Sequence, residues 1–213
     1  MGESCYTISK SKYQKGGATV SKAPTSKHSA ARDLAIVALS IALLAVCSYI
    51  SIPTPVGHIT LQMFAVLLIA CTLDLKSSVS AVTLYVAMGL IGLPMFAGFR
   101  GGFSVLFEVS GGFLAAFILI SVIIPLARRF FGNSRCTLII SSVCSILLSY
   151  LIATIWIHAV SGGIEHPSSF PLFLLLYTAV FIIPDTAKLA LALFCAPRVR
   201  KFLGFSENKE VTS

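Results

Sequence analysis

The chain of 213 residues is 56% hydrophobic and only 11% charged, with a mean hydropathy of +0.92. A soluble domain carries about 25% charged residues because its surface faces water, so this composition excludes a soluble globular protein. One membrane span takes about 20 apolar residues, and the apolar content suffices for about six spans, with no room for an ATPase or other large catalytic domain. We therefore predict an all-α polytopic membrane protein with six transmembrane helices.

The net charge of +8 does not indicate nucleic-acid binding, because the basic residues flank apolar runs, a pattern that orients membrane proteins. We predict a polar, basic and disordered N-terminal tail at 1–32, a six-helix domain at 33–200 and a C-terminal tail at 201–213. With the N-terminus inside, 14 of the 16 Lys and Arg residues fall in inner segments. This asymmetry predicts a multi-pass protein of the plasma membrane with both termini in the cytoplasm.

Six apolar runs, separated by proline, glycine and charged residues, correspond to the six spans. They lie at 33–51, 59–73, 78–93, 109–127, 137–160 and 172–196. The second and third runs are short for simple spans, so we expect them to tilt or to be completed by their loops.

Few chemically reactive groups lie within these runs. The six cysteines form no CxxC pair and are interpreted as small buried side chains, so we predict neither a metal site nor a cofactor. The last run contains Asp185 and Lys188, whose three-residue spacing places them on one helical face. Because charges at membrane depth are costly, the two residues either neutralise each other as a structural pair or anchor a ligand. Pro184 precedes them and disturbs the adjacent helix turn.

Two outer loops offer further candidate residues. In the loop at 92–103, glycines allow close backbone approach and aromatic rings supply apolar walls. The lid residues proposed there are Pro94, Phe96, Gly98, Gly101 and Gly102. Arg100, the lone outer basic residue, either holds a carboxylate bidentately or snorkels at the interface. The loop at 53–62 adds Thr60 and Gln62 as hydrogen-bonding groups, and we interpret His58 as an interfacial residue rather than a proton carrier.

The first run carries a face of small residues. They are Ala31, Ala35, Ala38, Ala42 and Ala45. Small faces permit close helix–helix approach in lipid, so this face serves either internal packing or docking onto a partner membrane protein.

Together these segments resemble the BioY family, the biotin-specific substrate-binding (S) subunits of energy-coupling-factor (ECF) vitamin transporters. The resemblance covers about 33–200. It rests on the Pro-x-Pro to Ile-Thr-Leu-Gln segment that ends at Gln62, on Gly-Leu-Pro-Met-Phe-Ala-Gly at 92–98, and on Asp-x-x-Lys at 185–188. The chain departs from the family pattern at His58, where proline is frequent, at 108–112, where Gly-Pro-Thr-Gly-Gly is frequent, and at 183–184, where Pro-Gly is frequent.

The resemblance implies a six-helix S-component fold with an outward-facing pocket that binds biotin and delivers it inward. It implies substrate-binding roles for Asp185, Lys188, Arg100, Gln62 and Tyr85, with the biotin carboxylate held by Arg100 or by Lys188. It also implies partners. They are a transmembrane coupling subunit, docked on Ala31, Ala35, Ala38 and Ala42, and two cytoplasmic ATPase subunits that supply the energy. The chain itself has no phosphate-binding loop.

Two other functions are weighed against this interpretation. One is an S component for another small vitamin. The other, an intramembrane enzyme, is disfavoured because Gly102-Phe103-Ser104-Val105 lacks the last glycine of a rhomboid-type GxSG motif. We therefore predict a transporter subunit that is not an enzyme.

Overall fold

The computed structural model describes residues 27–54, 57–160 and 170–204. The predicted C-terminal tail beyond residue 204, the loop at 161–169 and residues 1–26 of the predicted N-terminal tail lie outside the described residues.

Within the described residues the protein is helical apart from one short hairpin. The helices are α1 (Lys27–Tyr49), α2 (Gln62–Thr72), α3 (Leu75–Leu90), α4 (Val109–Phe131), α5 (Arg135–Val160) and α6 (Phe170–Phe202). The hairpin strands are β1 (Ser51–Thr54) and β2 (Gly57–Thr60), and a 3₁₀ segment spans Phe103–Phe107.

Three helices are long and apolar enough to cross a membrane: Ala30–Tyr49, Ser110–Phe131 and Arg135–Val160, among the residues that can be described. Helices α2 and α3 are apolar but shorter. At about 1.5 Å per residue, they fall short of the roughly 30 Å of a bilayer core. This agrees with the expectation that the second and third runs need tilt or help from their loops.

The structure corrects two boundaries. Helix α1 begins at Lys27, so residues 27–32, predicted as the end of the disordered tail, are helical, and Arg32 donates to the Leu203 carbonyl at the end of α6. The second apolar run does not begin as a helix, because residues 57–60 form β2 and pair antiparallel with β1, Ser51 opposite Thr60. Extended backbone suits the prolines and β-branched residues of this segment.

Helix α2 lies at the centre of the bundle. Nearly every one of its residues is buried, as expected for a helix that is apolar all round, and it packs against α1, α4 and α6. Arg128 of α4 closes its carboxyl end, where Nη1 donates to the Cys71 and Leu73 carbonyls at 2.9 Å each. Arg128 thereby satisfies carbonyls that the end of a helix leaves without an intrahelical partner.

Helices α4 and α5 approach each other closely at two glycines. A Cβ added to Gly111 would collide with the Leu106 carbonyl and with Trp156, and one added to Gly112 would collide with Trp156 and Ala153. The Trp156 indole N–H donates to that same Leu106 carbonyl at 2.8 Å. This contact fixes the segment before α4, and with it the outer loop, against α5.

Candidate functional site

A cavity lies between β2, α2, the loop after α3, α4 and α6. Its wall is mainly apolar, with a few convergent polar groups, as is usual for small-molecule sites. The apolar lining residues are Met63, Phe96, Ala97, Phe113, Leu114, Phe117 and Phe181, and the polar ones are His58, Thr60, Gln62, Ser110, Asp185 and Lys188.

Asp185 and Lys188 form a buried ion pair on the cavity wall. The Lys188 Nζ lies 2.7 Å from Asp185 Oδ1, and the two side chains are only 10% and 4% exposed, respectively. The second carboxylate oxygen, Oδ2, accepts a hydrogen bond of 2.8 Å from the buried Tyr150 hydroxyl of α5. Each Asp185 oxygen has therefore one protein donor and keeps lone-pair capacity for another.

The sequence analysis missed Tyr150. A tyrosine within an apolar run is indistinguishable from an aromatic core residue, and no local pattern pairs it with a carboxylate 35 positions away. The packing of α5 against α6 brings the two together. Because a buried tyrosine hydroxyl normally finds a partner, a tyrosine deep in a span is itself a weak signal of a nearby polar group.

Gln62 and Tyr85 occupy different positions relative to the cavity. Gln62 lies on the wall, and its Nε2 donates to the Tyr85 hydroxyl at 3.0 Å. Tyr85 is fully buried behind Gln62, and its hydroxyl in turn donates to the Met95 carbonyl at 2.6 Å. The structure thus places Tyr85 as a support for Gln62 and for the outer loop, whereas Gln62 itself faces the cavity.

The loop at 92–102 covers the cavity through one aromatic residue. Phe96 is buried on the wall, and its ring fills the space where a Cβ on Gly89 would stand. Its amide donates to the Arg100 carbonyl at 2.9 Å, which closes a tight turn in which Gly98 has a φ of +72°. Among the other predicted lid residues, Pro94 is exposed.

The remaining two lid glycines support this turn. Gly101 cannot carry a Cβ because the Leu93 carbonyl occupies that position. Gly102 has a φ of +99° and donates its amide to the Gly89 carbonyl at 2.8 Å. Both residues therefore require glycine to hold the loop against the end of α3.

Arg100 lies at the cavity mouth, paired with a residue to which the sequence analysis assigned no role. Its guanidinium forms a salt bridge with Glu108, and its Nη2 lies 3.5 Å from the Ser110 hydroxyl on the cavity wall. The Arg100 and Glu108 side chains are 36% and 41% exposed. The two residues predicted to hold the ligand carboxylate therefore differ in position. Lys188 is among the described residues that line the cavity, whereas Arg100 lies beside its rim.

The alanine face of α1 is mostly exposed. Ala31, Ala35, Ala38 and Ala42 are all exposed and Ala45 is half-buried, so among the described residues no side chain packs closely over the first four. No group of three or more His, Cys, Asp or Glu side chains suited to a metal ion occurs in the described part of the chain.

A family model named BioY matches residues 19–205 of the chain. The chain belongs to the BioY family. Among family relatives, the probable biotin transporter BioY of Pyrococcus horikoshii is 32% identical over 170 residues, which is 80% of this chain and 97% of that protein. The biotin transporter BioY2 of Lactococcus lactis subsp. cremoris is 35% identical over 125 residues, 59% of this chain and 69% of the relative.

The BioY family assignment agrees with the fold. A crystal structure of the S-component for biotin from an ECF-type ABC transporter matches with a TM-score of 0.70 and 22% identity, covering 82% of this chain and 94% of that one. The predicted helical S-component fold is thereby confirmed, and so is the predicted family.

Proposed function

We propose that this BioY-family chain takes part in biotin uptake by binding biotin in the cavity between β2, α2, α4 and α6. The observation that carries the proposal is the buried Asp185–Lys188 pair, completed by Tyr150, on the wall of a mainly apolar cavity. Biotin combines an apolar thioether ring with a ureido group and a carboxylate. The relatives' names and the matched biotin S-component support this ligand over other vitamins.

Within the cavity, Asp185 accepts hydrogen bonds from the ureido N–H groups through its remaining lone pairs. Such bonds to a carboxylate are charge-assisted. Phe113 and Phe181, whose ring centroids are 5.9 Å apart, enclose the apolar ring together with Phe96. Gln62, held by Tyr85, adds a hydrogen-bonding group to the same wall.

Six transmembrane helices with both termini in the cytoplasm complete the proposal. The positive charges support this topology, since the ends of α4 and α6 carry Arg128, Arg129, Arg200 and Lys201, as the inner side of a membrane protein does. The cavity then opens outward. The loop that covers it leads into the start of α4, which is the end opposite to the one that carries Arg128 and Arg129.

The partners are a transmembrane coupling subunit and two ATPase subunits of an ECF transporter. The exposed Ala35 and Ala38 supply the contact surface, since small residues allow helices to approach closely in lipid. Replacing Ala38 with Leu should abolish uptake and complex formation while biotin binding by the isolated subunit stays intact. Loss of binding with an intact complex would assign the alanine face to the chain's own packing.

Direct titration of the detergent-purified full-length chain tests the ligand. We expect tight, saturable biotin binding by calorimetry, and a weakening of about 10- to 100-fold in Asp185→Asn, the range for loss of a hydrogen bond to a buried charge. Absence of any response to biotin, or tighter binding of another vitamin, would refute the assignment.

A further inference from the structure

His58 carries a buried polar atom without a partner. It lies on β2 opposite Pro53 and on the cavity wall, and within the described residues no hydrogen bond reaches its buried Nδ1. A buried polar atom left unpaired costs free energy, and native structures rarely keep one without a reason. A ligand in the adjoining cavity is a partner that would remove this cost.

The surroundings of His58 indicate which end of the ligand it meets. A Cβ built on Gly98 would lie 3.9 Å from His58 Cε1 and 3.9 Å from Arg100 Nε, so the imidazole and the guanidinium flank the same lid glycine. Arg100 is oriented by Glu108 at the rim. The deep acceptor, Asp185, and its partner Lys188 face the cavity from α6. The outer end of the cavity therefore combines a cation with a ring nitrogen that can donate.

We propose that His58 is a specificity-determining residue whose Nδ1–H donates to the ligand carboxylate at the cavity mouth, beside Arg100. This inference rests on the proposed function, in which the ureido group meets Asp185. The valerate chain separates the ureido ring from the carboxylate of biotin. Since Lys188 Nζ is 2.7 Å from Asp185, the two ends of an extended biotin molecule cannot both lie there, and the carboxylate reaches the mouth.

The test compares biotin with its primary amide, biotinamide, on the full-length chain in detergent. In His58→Leu the donor is lost, and we expect biotin to bind about 10-fold or more weakly while the affinity for biotinamide changes little. His58→Asn, whose amide nitrogen can take the place of Nδ1, should keep most of the preference for biotin. Ile52→Asn, on an exposed position of the same hairpin, controls for effects on the hairpin itself.

Three results would overturn the inference while the proposed function stands. The first is an unchanged biotin affinity in His58→Leu. The second is an equal weakening of biotin and biotinamide in that variant, which would assign His58 to the ureido end or to support of the hairpin. The third is loss of the preference for biotin over biotinamide in His58→Asn, which would exclude Nδ1 as the donor. Absence of biotin binding by the wild-type chain would instead refute the proposed function.

Discussion

Removing the amine of the buried ion pair should destabilise the protein by several kcal/mol. Lys188→Met keeps most of the side-chain volume but leaves the Asp185 carboxylate buried, with 4% of its side chain exposed. Breaking one partner of a buried pair costs about 3–5 kcal/mol. The Tyr150 hydroxyl still donates to Oδ2 at 2.8 Å, so we expect a loss near the lower end, about 3 kcal/mol, in denaturant unfolding of the detergent-solubilised chain.

The double variant Asp185→Asn/Lys188→Met separates stability from ligand binding. It removes both charges, and replacing a buried pair with neutral groups of similar volume is often close to neutral, so most of the lost stability should return. Biotin affinity should stay low, because the charged acceptor is gone. If Lys188→Met is as stable as the wild type, the ion pair does not stabilise the fold. Wild-type biotin affinity in the double variant would show that the pair has no role in binding.

Two further predictions concern the scaffold. Gly112→Leu should lower the free energy of unfolding by about 1–3 kcal/mol, the cost of overpacking, because Trp156 and Ala153 occupy the position of its Cβ. Ala115→Leu, on the exposed side of α4, is the matched control. Equal losses of stability in the two variants would contradict the close contact of α4 with α5 at Gly112. Arg128→Met should lower the free energy of unfolding by about 1–3 kcal/mol, because it leaves carbonyls at the end of α2 unpaired. Arg129→Met, at the exposed neighbouring position, should change stability little. A thermal melt in which Arg129→Met is the less stable of the two would refute the capping role of Arg128.

The helices could be predicted because each apolar run ends at proline, glycine or charged residues, which are costly or disruptive within a membrane-spanning helix. Arg128 and Arg129 follow the fourth run and appear in the last turn of α4. The hairpin could not be predicted in the same way. Each strand has only four residues and Pro53 lies within β1, so the alternation is too short to distinguish from a loop. In the sequence, β2 also leads through Leu61 directly into the apolar run of α2.

The candidate site likewise contains residues that the sequence alone indicated and residues that only the tertiary structure revealed. Asp185 and Lys188 were visible because charges stand out within an apolar run. Their partner Tyr150 and the pairing of Arg100 with Glu108 depend on how separate segments meet, α5 with α6 in one case and a loop with the start of α4 in the other. Residue type reveals a group that is costly to bury, but only tertiary packing reveals what compensates it.

Helix α1 joins the two surfaces on which the proposed function depends. Near its outer end, Ser48 Oγ donates to the Met95 carbonyl at 2.5 Å and the Tyr49 hydroxyl donates to the Pro94 carbonyl at 2.8 Å, while the Tyr49 and Phe99 rings stack at 4.3 Å. These contacts fasten the cavity's lid to the helix whose other end presents the exposed alanine face. In the proposed function, the coupling subunit would therefore dock on the same 23-residue helix to which the lid of the cavity is fastened.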